Sequence, residues 1–130
     1  MSESPERPKG GLALRIVAQP ADANIGGTIF GGWLLGHMDM AGGVTAWWRA
    51  KGRVGTVAIQ SMEFHKPVHI GDLVSVHADI LNVGRTSITV QVEAWAQRDL
   101  APPPGIKVTA GIFTYVALDA KGNKRLVPAE

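Results

Sequence analysis

The segment from residue 32 to residue 50 has the spacing of a long helix and almost no polar face. Apolar residues and one threonine fall on nearly every side of the helix axis: Leu34, Leu35, Met38, Ala41, Val44, Thr45, Ala46 and Trp48. Cations at Arg49 and Lys51, followed by Gly52, are typical of a helix end. A surface helix has one apolar stripe, whereas this helix needs apolar partners on several sides. The pattern therefore predicts a central helix that is buried on most sides.

Strand patterns lie on both sides of this helix. One precedes it and four follow it, at residues 12–19, 54–66, 73–83, 86–97 and 108–118. The alternation of apolar and polar residues in the third and fourth of these is typical of half-buried antiparallel strands. We therefore expect an α+β hotdog fold, in which a curved antiparallel sheet of five to six strands wraps the long helix. Because one sheet cannot cover the whole helix and also pair its own edge strands, we expect at least a dimer.

The length and the ends of the chain bound its organisation. A chain of 130 residues can build one core, so we expect a single domain at residues 11–120. Residues 1–10 are rich in proline and charge and have no apolar segment, which predicts a disordered tail and not a secretion signal. Residues 121–130 are predicted to form a polar C-terminal tail. No uncharged stretch is long enough to span a membrane, and we expect a cytoplasmic protein.

Composition excludes several function classes. Thirteen Lys and Arg against eleven Asp and Glu give a formal net charge of +2. This charge is too small to indicate a nucleic-acid partner, although it suits a small polyanionic ligand. The absence of cysteine excludes disulfides and thiol catalysis. We expect no nucleic-acid and no membrane partner.

Asp39 is the only formally charged side chain between Asp22 and Arg49, and it lies inside the apolar helix. An ionised carboxylate that is removed from water without a partner costs several kcal/mol. Asp39 must therefore be partnered, protonated, or open to a cleft where it acts as a base. On the residues alone, the structural and the catalytic interpretations are equally plausible.

The motifs around Asp39 resemble those of hotdog-fold acyl-CoA thioesterases of the YciA type. The matching segments are Pro-Ala-Asp-Ala-Asn-Ile-Gly-Gly-Thr-Ile-Phe-Gly-Gly-Trp at 20–33, Met-Asp at 38–39, Phe-His-Lys-Pro-Val at 64–68, Gly-Arg-Thr-Ser at 84–87 and Val-Glu-Ala-Trp at 92–95. The resemblance extends from residue 12 to about residue 128. It implies hydrolysis of acyl-CoA thioesters without a cofactor, since CoA is part of the substrate. It also implies sites shared between the subunits of a dimer, and dimers joined into hexamers as trimers of dimers.

The resemblance also implies roles for individual residues. Asp39 is the catalytic carboxylate, as general base or nucleophile, and Asn24 is its polar helper, contributed across the dimer interface. Gly31 and Gly32 begin the helix, where free N–H groups and the positive end of the helix dipole can polarise the thioester carbonyl. Without the resemblance, Asn24 would be an ordinary loop residue.

The phosphates of CoA need positive charge and hydrogen-bond donors. Gly84, Arg85, Thr86 and Ser87 form a predicted hairpin turn that offers both, and Lys66 is a further candidate. An ordinary solvated hairpin is the alternative interpretation. The adjacent Trp47 and Trp48 depart from the family pattern. If their rings close the acyl tunnel, the enzyme would prefer short chains.

Geometry argues against two possible histidine sites, a His–Asp dyad and a metal site. His37 and Asp39 are two residues apart, about 200° around a helix, so they cannot form a His–Asp dyad within that helix. His37 is therefore predicted to be a packing or interface residue. His65 and His69 lie in an extended segment without a third ligand, and we expect no metal site. Two alternatives to a thioesterase stay open: a non-catalytic acyl-CoA-binding hotdog protein, and a hotdog hydratase or dehydratase.

Overall fold

The computed structural model describes residues 6–130, in which one antiparallel sheet packs against one long helix. Strand β1 (Gly11–Val17) leads through a short 3-10 helix (Pro20–Asp22) and a loop into helix α1 (Gly31–Ala50). Four strands follow: β2 (Val54–Phe64), β3 (Leu73–Val83), β4 (Ser87–Gln97) and β5 (Ile106–Ala117). Their order in the sheet is β1-β3-β4-β5-β2, and every neighbouring pair is antiparallel. The predicted α+β hotdog fold is confirmed, with five strands.

Helix α1 ends where its sequence predicts. Lys51 adopts a left-handed conformation with φ 55° and ψ 43°, which stops the helix. The guanidinium of Arg125, far along the chain, donates from Nη2 to the carbonyl oxygen of Ala50 at 3.0 Å. A carbonyl of the last turn, which has no partner within the helix, is thereby satisfied.

The sheet covers only one face of α1. The residues that face it are buried and follow the helical repeat: Leu34, Met38, Ala41, Gly42, Ala46 and Ala50. On the other face, Met40, Val44, Trp47 and Trp48 are exposed. The sequence predicts a helix that is buried on most sides, but a single chain buries only one face of α1. One sheet layer reaches one side of a helix, so an apolar face is left outside.

Both terminal segments described by the structure lie against the domain. Near the N-terminus, the backbone N–H of Lys9 donates to Glu93 at 3.0 Å, while residues 1–5 of the predicted disordered tail lie outside the described residues. In the predicted C-terminal tail, the N–H of Val127 donates to the carbonyl of Arg85 at 2.8 Å. The side chain of Arg49 donates to the carbonyl of Pro128 at 2.6 Å. Within residues 6–130, no helix is long and apolar enough to cross a membrane.

An ion pair between a buried carboxylate and a partly exposed guanidinium connects the turn before β3 to the end of β4. Asp72 is fully buried, and its two oxygens accept from Nε and Nη2 of Arg98, each at 2.9 Å. The backbone N–H of His69 also donates to Asp72 at 2.9 Å. Burial by itself would raise the pKa of Asp72, but the hydrogen bonds from Arg98 and His69 outweigh it, and the pKa is lowered.

This ion pair generates a stability prediction. Asp72→Ala removes three hydrogen bonds to a buried carboxylate and is expected to lower the free energy of unfolding at neutral pH by about 2 to 3 kcal/mol. Because the folded-state pKa lies below the ordinary value of 3.8, the contribution is present above that value and is lost as the pH falls through the folded-state pKa. Urea unfolding of wild type and variant at neutral and at acidic pH measures both effects.

Asp79→Ala is the matched control, because Asp79 accepts no side-chain hydrogen bond within residues 6–130 and is only half-buried. A loss for Asp72→Ala that is no larger than the loss for the control would contradict the assignment.

Candidate active site

Asp39 lies in the middle of α1, half-buried, with one carboxylate oxygen held by two donors. The hydroxyl of Thr56 on β2 donates to Oδ1 at 2.8 Å. The hydroxyl of Tyr115 on β5 lies 3.1 Å from Oδ1 and 2.9 Å from the carbonyl oxygen of Asp39, so its single hydrogen is shared between them. Within residues 6–130, Oδ2 accepts no hydrogen bond. The carboxylate is therefore oriented through one oxygen while the other is available.

Asp39 also lines an open cavity of about 470 Å³, here called the Asp39 cavity. Asp39, Thr56 and Tyr115 provide its polar groups. The rest of the lining is apolar or small: Met40, Gly43, Val44, Trp47, Trp48 and Val54. An apolar cavity with a few convergent polar groups is the usual form of a small-molecule site.

The strand register explains how the two donors reach Asp39. Thr56 and Tyr115 are paired across β2 and β5, so their side chains lie on the same face of the sheet, toward α1. Gly42, one turn after Asp39, leaves the space that the phenol ring needs. A Cβ at Gly42 would overlap the hydroxyl of Tyr115 and lie 3.1 Å from Val92. The helix approaches the sheet this closely because residue 42 is a glycine.

Tyr115 is a buried donor that stays protonated. Its ring is stacked on Phe113, with centroids 6.4 Å apart and an interplanar angle of 11°. Burial, the negative charge of Asp39 and the hydrogen bond to Asp39 all raise the pKa of the Tyr115 phenol. Neither Tyr115 nor Thr56 is predicted as a site residue from the sequence. A usable signal existed for Tyr115, because it is the only tyrosine of the chain and a buried phenol needs a partner.

The predicted helper and helix-start residues do not meet Asp39 within one chain. Asn24 lies in an exposed loop, where its Oδ1 accepts from the N–H of Thr28 at 3.2 Å and its Nδ2 donates to the hydroxyl of Thr28 at 3.2 Å. Gly31 and Gly32 begin α1 as predicted. Gly31 precedes Asp39 by eight residues, which is about 12 Å along the helix axis. In one chain these groups are therefore too far apart to act on the same atom.

The predicted CoA-binding residues lie in two places. Gly84, Arg85, Thr86 and Ser87 connect β3 to β4, and Arg85 is exposed. Ser87 pairs with Val116, the neighbour of Tyr115, so this turn lies at the Asp39 end of the sheet.

Lys66 is exposed at the opposite end of the sheet, just after β2. Together with Gly31, it lines a second cavity of about 360 Å³. The structure therefore groups Lys66 with the start of α1 and separates it from the Arg85 turn.

His37 packs against Trp33, with ring centroids 4.4 Å apart in an edge-to-face arrangement. This contact agrees with the predicted packing role. Residues 6–130 contain no cluster of three or more His, Cys, Asp or Glu that could hold a metal ion.

Residues 26–102 match the family model described as the thioesterase superfamily. The chain is 42% identical over 132 residues to the acyl-CoA thioester hydrolase YciA of Escherichia coli, and the match covers all of both chains. The crystal structure of a hexameric thioesterase from Yersinia pestis has a TM-score of 0.88 and 42% identity, and covers 95% of this chain and 99% of that one.

A solved acyl-CoA hydrolase from Staphylococcus aureus, in complex with butyryl coenzyme A and coenzyme A, has a TM-score of 0.82 and 29% identity. The match covers 89% of this chain and 70% of that one. Two further structures of that hydrolase carry alanine in place of an asparagine and in place of an aspartate, at positions 15 residues apart.

Proposed function

Because the chain belongs to the thioesterase superfamily, we propose that it hydrolyses acyl-CoA thioesters to a free acid and coenzyme A. The resemblance to hotdog-fold acyl-CoA thioesterases seen in the sequence is confirmed by the match to the family model and by the relatives. The observation that carries the proposal is Asp39, whose Oδ1 is held by Thr56 and Tyr115 while the carboxylate lines an apolar cavity. The cavity wall suits an acyl chain. Water is the only other reactant, so the reaction needs no cofactor.

Asp39 supplies the chemistry in one of two ways. As a general base it takes a proton from water, the water oxygen bonds to the thioester carbon, and the carbon–sulfur bond breaks. The thiolate of CoA that leaves takes up the proton and becomes the free thiol. As a nucleophile it attacks the same carbon, the carbon–sulfur bond breaks, and CoA leaves as a thiolate that takes up a proton. Water then cleaves the resulting anhydride into the free acid and the carboxylate of Asp39. Both routes need the carboxylate at the same place. The N–H groups of Gly31 and Gly32 polarise the carbonyl as negative charge develops on its oxygen, and Asn24 orients the water or the carbonyl.

Each site is built by two subunits in this proposal. Asp39 comes from one subunit, and Asn24, Gly31 and Gly32 come from the other. The 12 Å along α1 between Gly31 and Asp39 supports a shared site, since one chain cannot bring both to one carbonyl. The exposed apolar face of α1 supports a dimer, because such a patch marks an interaction site.

The comparisons add two supports for the assembly and the site. Asn24 and Asp39 are 15 residues apart, the same separation as the asparagine and aspartate replaced in the Staphylococcus aureus hydrolase. The Yersinia pestis thioesterase is a hexamer, and we propose a trimer of dimers here. The cytoplasmic location stays a prediction of the sequence.

The first test is release of free thiol from a panel of acyl-CoAs. Wild type is expected to release thiol, and Asp39→Asn is expected to lower kcat by about 10² to 10⁴, because the amide cannot accept a proton or attack. Asn keeps the volume of the side chain, so unfolding temperature and oligomeric state serve as controls for folding.

The two alternatives give different results in this assay. Tight binding of acyl-CoA by a wild-type protein that releases no thiol would identify a non-catalytic binding protein. Loss of the double bond of an unsaturated acyl-CoA without thiol release would identify a hydratase. Equal rates for wild type and Asp39→Asn would contradict the assigned role of the carboxylate.

A subunit-mixing experiment tests the shared site. Asp39→Asn and Asn24→Ala are each expected to be nearly inactive alone. If the two residues of one site come from different subunits, every mixed dimer regains one intact site. An equal mixture, assembled by co-expression or by refolding together, should therefore regain about a quarter of wild-type activity. Mixing Asp39→Asn with Asp39→Ala is the matched control and should regain none. No recovery in the first mixture would place both residues in the same subunit.

We also propose that Arg85 binds a phosphate of CoA, with Gly84, Thr86, Ser87 and, from the other end of the sheet, Lys66 as further contacts. Arg85 is exposed and forms no salt bridge within residues 6–130. Its turn is fixed by the bond between the N–H of Gly84 and the carbonyl of Ser87 at 2.8 Å. A fixed turn with a free guanidinium suits a phosphate.

Arg85→Ala is expected to raise KM for acyl-CoA by about tenfold with little change in kcat, because a charge-assisted contact to the nucleotide is lost. A truncated acyl thioester of N-acetylcysteamine, which has no phosphate, provides the control. The variant should hydrolyse it as well as wild type does. An equal loss on both substrates would mean that Arg85 acts through the fold and not through phosphate.

A further inference from the structure

Residues 124–130 lie against the domain and are here called the C-terminal strap. The strap leaves the sheet just after β5, where Lys124 forms a bridge with Leu118. The backbone N–H of Arg125 donates to the carbonyl oxygen of Ala117, the last residue of β5, at 2.9 Å. The side chain of Arg125 donates from Nε to the carbonyl oxygen of Leu118 at 2.8 Å. The start of the strap is therefore fixed to the end of the sheet.

The strap is also fixed to the end of α1, at two points. Arg125 donates from Nη2 to the carbonyl oxygen of Ala50 at 3.0 Å. Three residues further along the strap, the carbonyl oxygen of Pro128 accepts from Nη1 of Arg49 at 2.6 Å. Arg49 and Ala50 belong to the last turn of α1, the helix that carries Asp39. The strap therefore cannot shift without breaking bonds to that helix.

Between these two points the strap holds the turn that carries Arg85. The N–H of Val127 donates to the carbonyl oxygen of Arg85 at 2.8 Å. Within residues 6–130, this is the hydrogen bond that reaches the backbone of Arg85, because the bond inside the turn joins Gly84 to Ser87. The side chain of Val127 is half-buried and packs against the hydrophobic core. The strap thus links the backbone of Arg85 to α1.

Such a link matters for a residue that binds through a long, exposed side chain. A long side chain already loses rotamer freedom when it binds a ligand, and a mobile backbone would add to that cost. A substrate held by its phosphate at Arg85 and cleaved at Asp39 also needs the two ends of the site at a fixed separation. The bonds of the strap to α1 and to Arg85 supply that fixed separation.

We propose that the C-terminal strap is a positioning element for the CoA part of the substrate, and that it acts through Arg85. The inference rests on the proposed function, because it assigns to the strap the placing of the guanidinium that binds a phosphate of CoA. Val127 and Arg49 are its positioning residues. When the strap is released, the turn moves relative to α1, so the contribution of the phosphate contact falls while the chemistry at Asp39 continues.

The test compares kcat/KM for butyryl-CoA with kcat/KM for S-butyryl-N-acetylcysteamine, which has no phosphate. Val127→Pro removes the N–H that donates to Arg85 and keeps an apolar side chain. It is expected to lower the ratio of the two kcat/KM values about threefold to fivefold, through KM for butyryl-CoA. Val127→Ala is the matched control, because it keeps the N–H, and its ratio should equal that of wild type. The ratio is independent of the fraction of folded enzyme.

A second variant guards against misfolding of the proline variant. Arg49→Met releases the carbonyl oxygen of Pro128 and keeps the long side chain, without touching Val127 or Arg85. The ratio is expected to fall in the same direction, by about twofold to threefold. An unchanged ratio in both variants would overturn the inference. A rate that falls equally on both substrates would do the same, because the strap would then act through the fold alone.

The Arg85→Ala background tests whether the strap acts through Arg85. Val127→Pro is expected to leave the ratio unchanged in that background, since no guanidinium is left to be placed. A further fall of threefold to fivefold, as large as in the wild-type background, would show that the strap acts on the substrate by another route and would contradict the inference.

A binding measurement separates this inference from the proposed function. Dissociation constants for coenzyme A and for pantetheine, which has no phosphate, report on the phosphate end without turnover. Val127→Pro is expected to weaken binding of coenzyme A about threefold to fivefold and to leave binding of pantetheine unchanged, even if wild type releases no thiol. Equal binding of coenzyme A by wild type and Val127→Pro would overturn the role of the strap, whether or not the protein hydrolyses thioesters.

Discussion

The structure depends on a helix that is apolar on two faces and a sheet that covers only one of them. The covered face of α1 is made of small and medium side chains, and Gly42 lets the ring of Tyr115 approach the helix backbone. The uncovered face carries Met40, Val44, Trp47 and Trp48. Because these residues cannot be satisfied by the chain's own sheet, the same helix that completes the core also provides a binding surface. The core, the cavity and the proposed subunit contact are therefore parts of one element.

Asp39 lies at the border between the two faces of α1, and this position explains a charge in an apolar helix. On the covered side it receives hydrogen bonds from Thr56 and Tyr115, which offset the cost of partial burial. On the uncovered side it lines the Asp39 cavity. The geometry agrees with the structural interpretation and with the proposed catalytic one, since a base has to be held in place and also be exposed to its substrate. A phenol with a raised pKa is a suitable holder, because it donates and does not titrate near neutral pH.

Helix and strand bounds could be predicted from local periodicity. Contacts between residues that are far apart in the chain could not. The bounds of α1 and β3 follow from apolar spacing, and the structure reproduces them within one residue. Asp39 stood out because a charge interrupts an apolar run. Tyr115 is the only tyrosine of the chain, but it is 76 residues away from Asp39, so its partner is identified only once β5 and β2 are paired.

The predicted burial of α1 on most sides is met on one face only by the single chain. The apolar pattern of α1 shows that the helix needs cover on several sides, but it does not show which cover comes from the same chain. The grouping of Lys66 with Gly31, away from Arg85, follows in the same way from sheet order and not from residue type. In the proposed dimer, a two-fold axis brings the start of α1 in one subunit beside Asp39 of the other, and the symmetric contact creates two equal sites. The Arg85 turn at the Asp39 end of one subunit and Lys66 at the Gly31 end of the other then approach the same substrate. In this proposal, assembly joins positions that one chain separates, and the site therefore requires the oligomer.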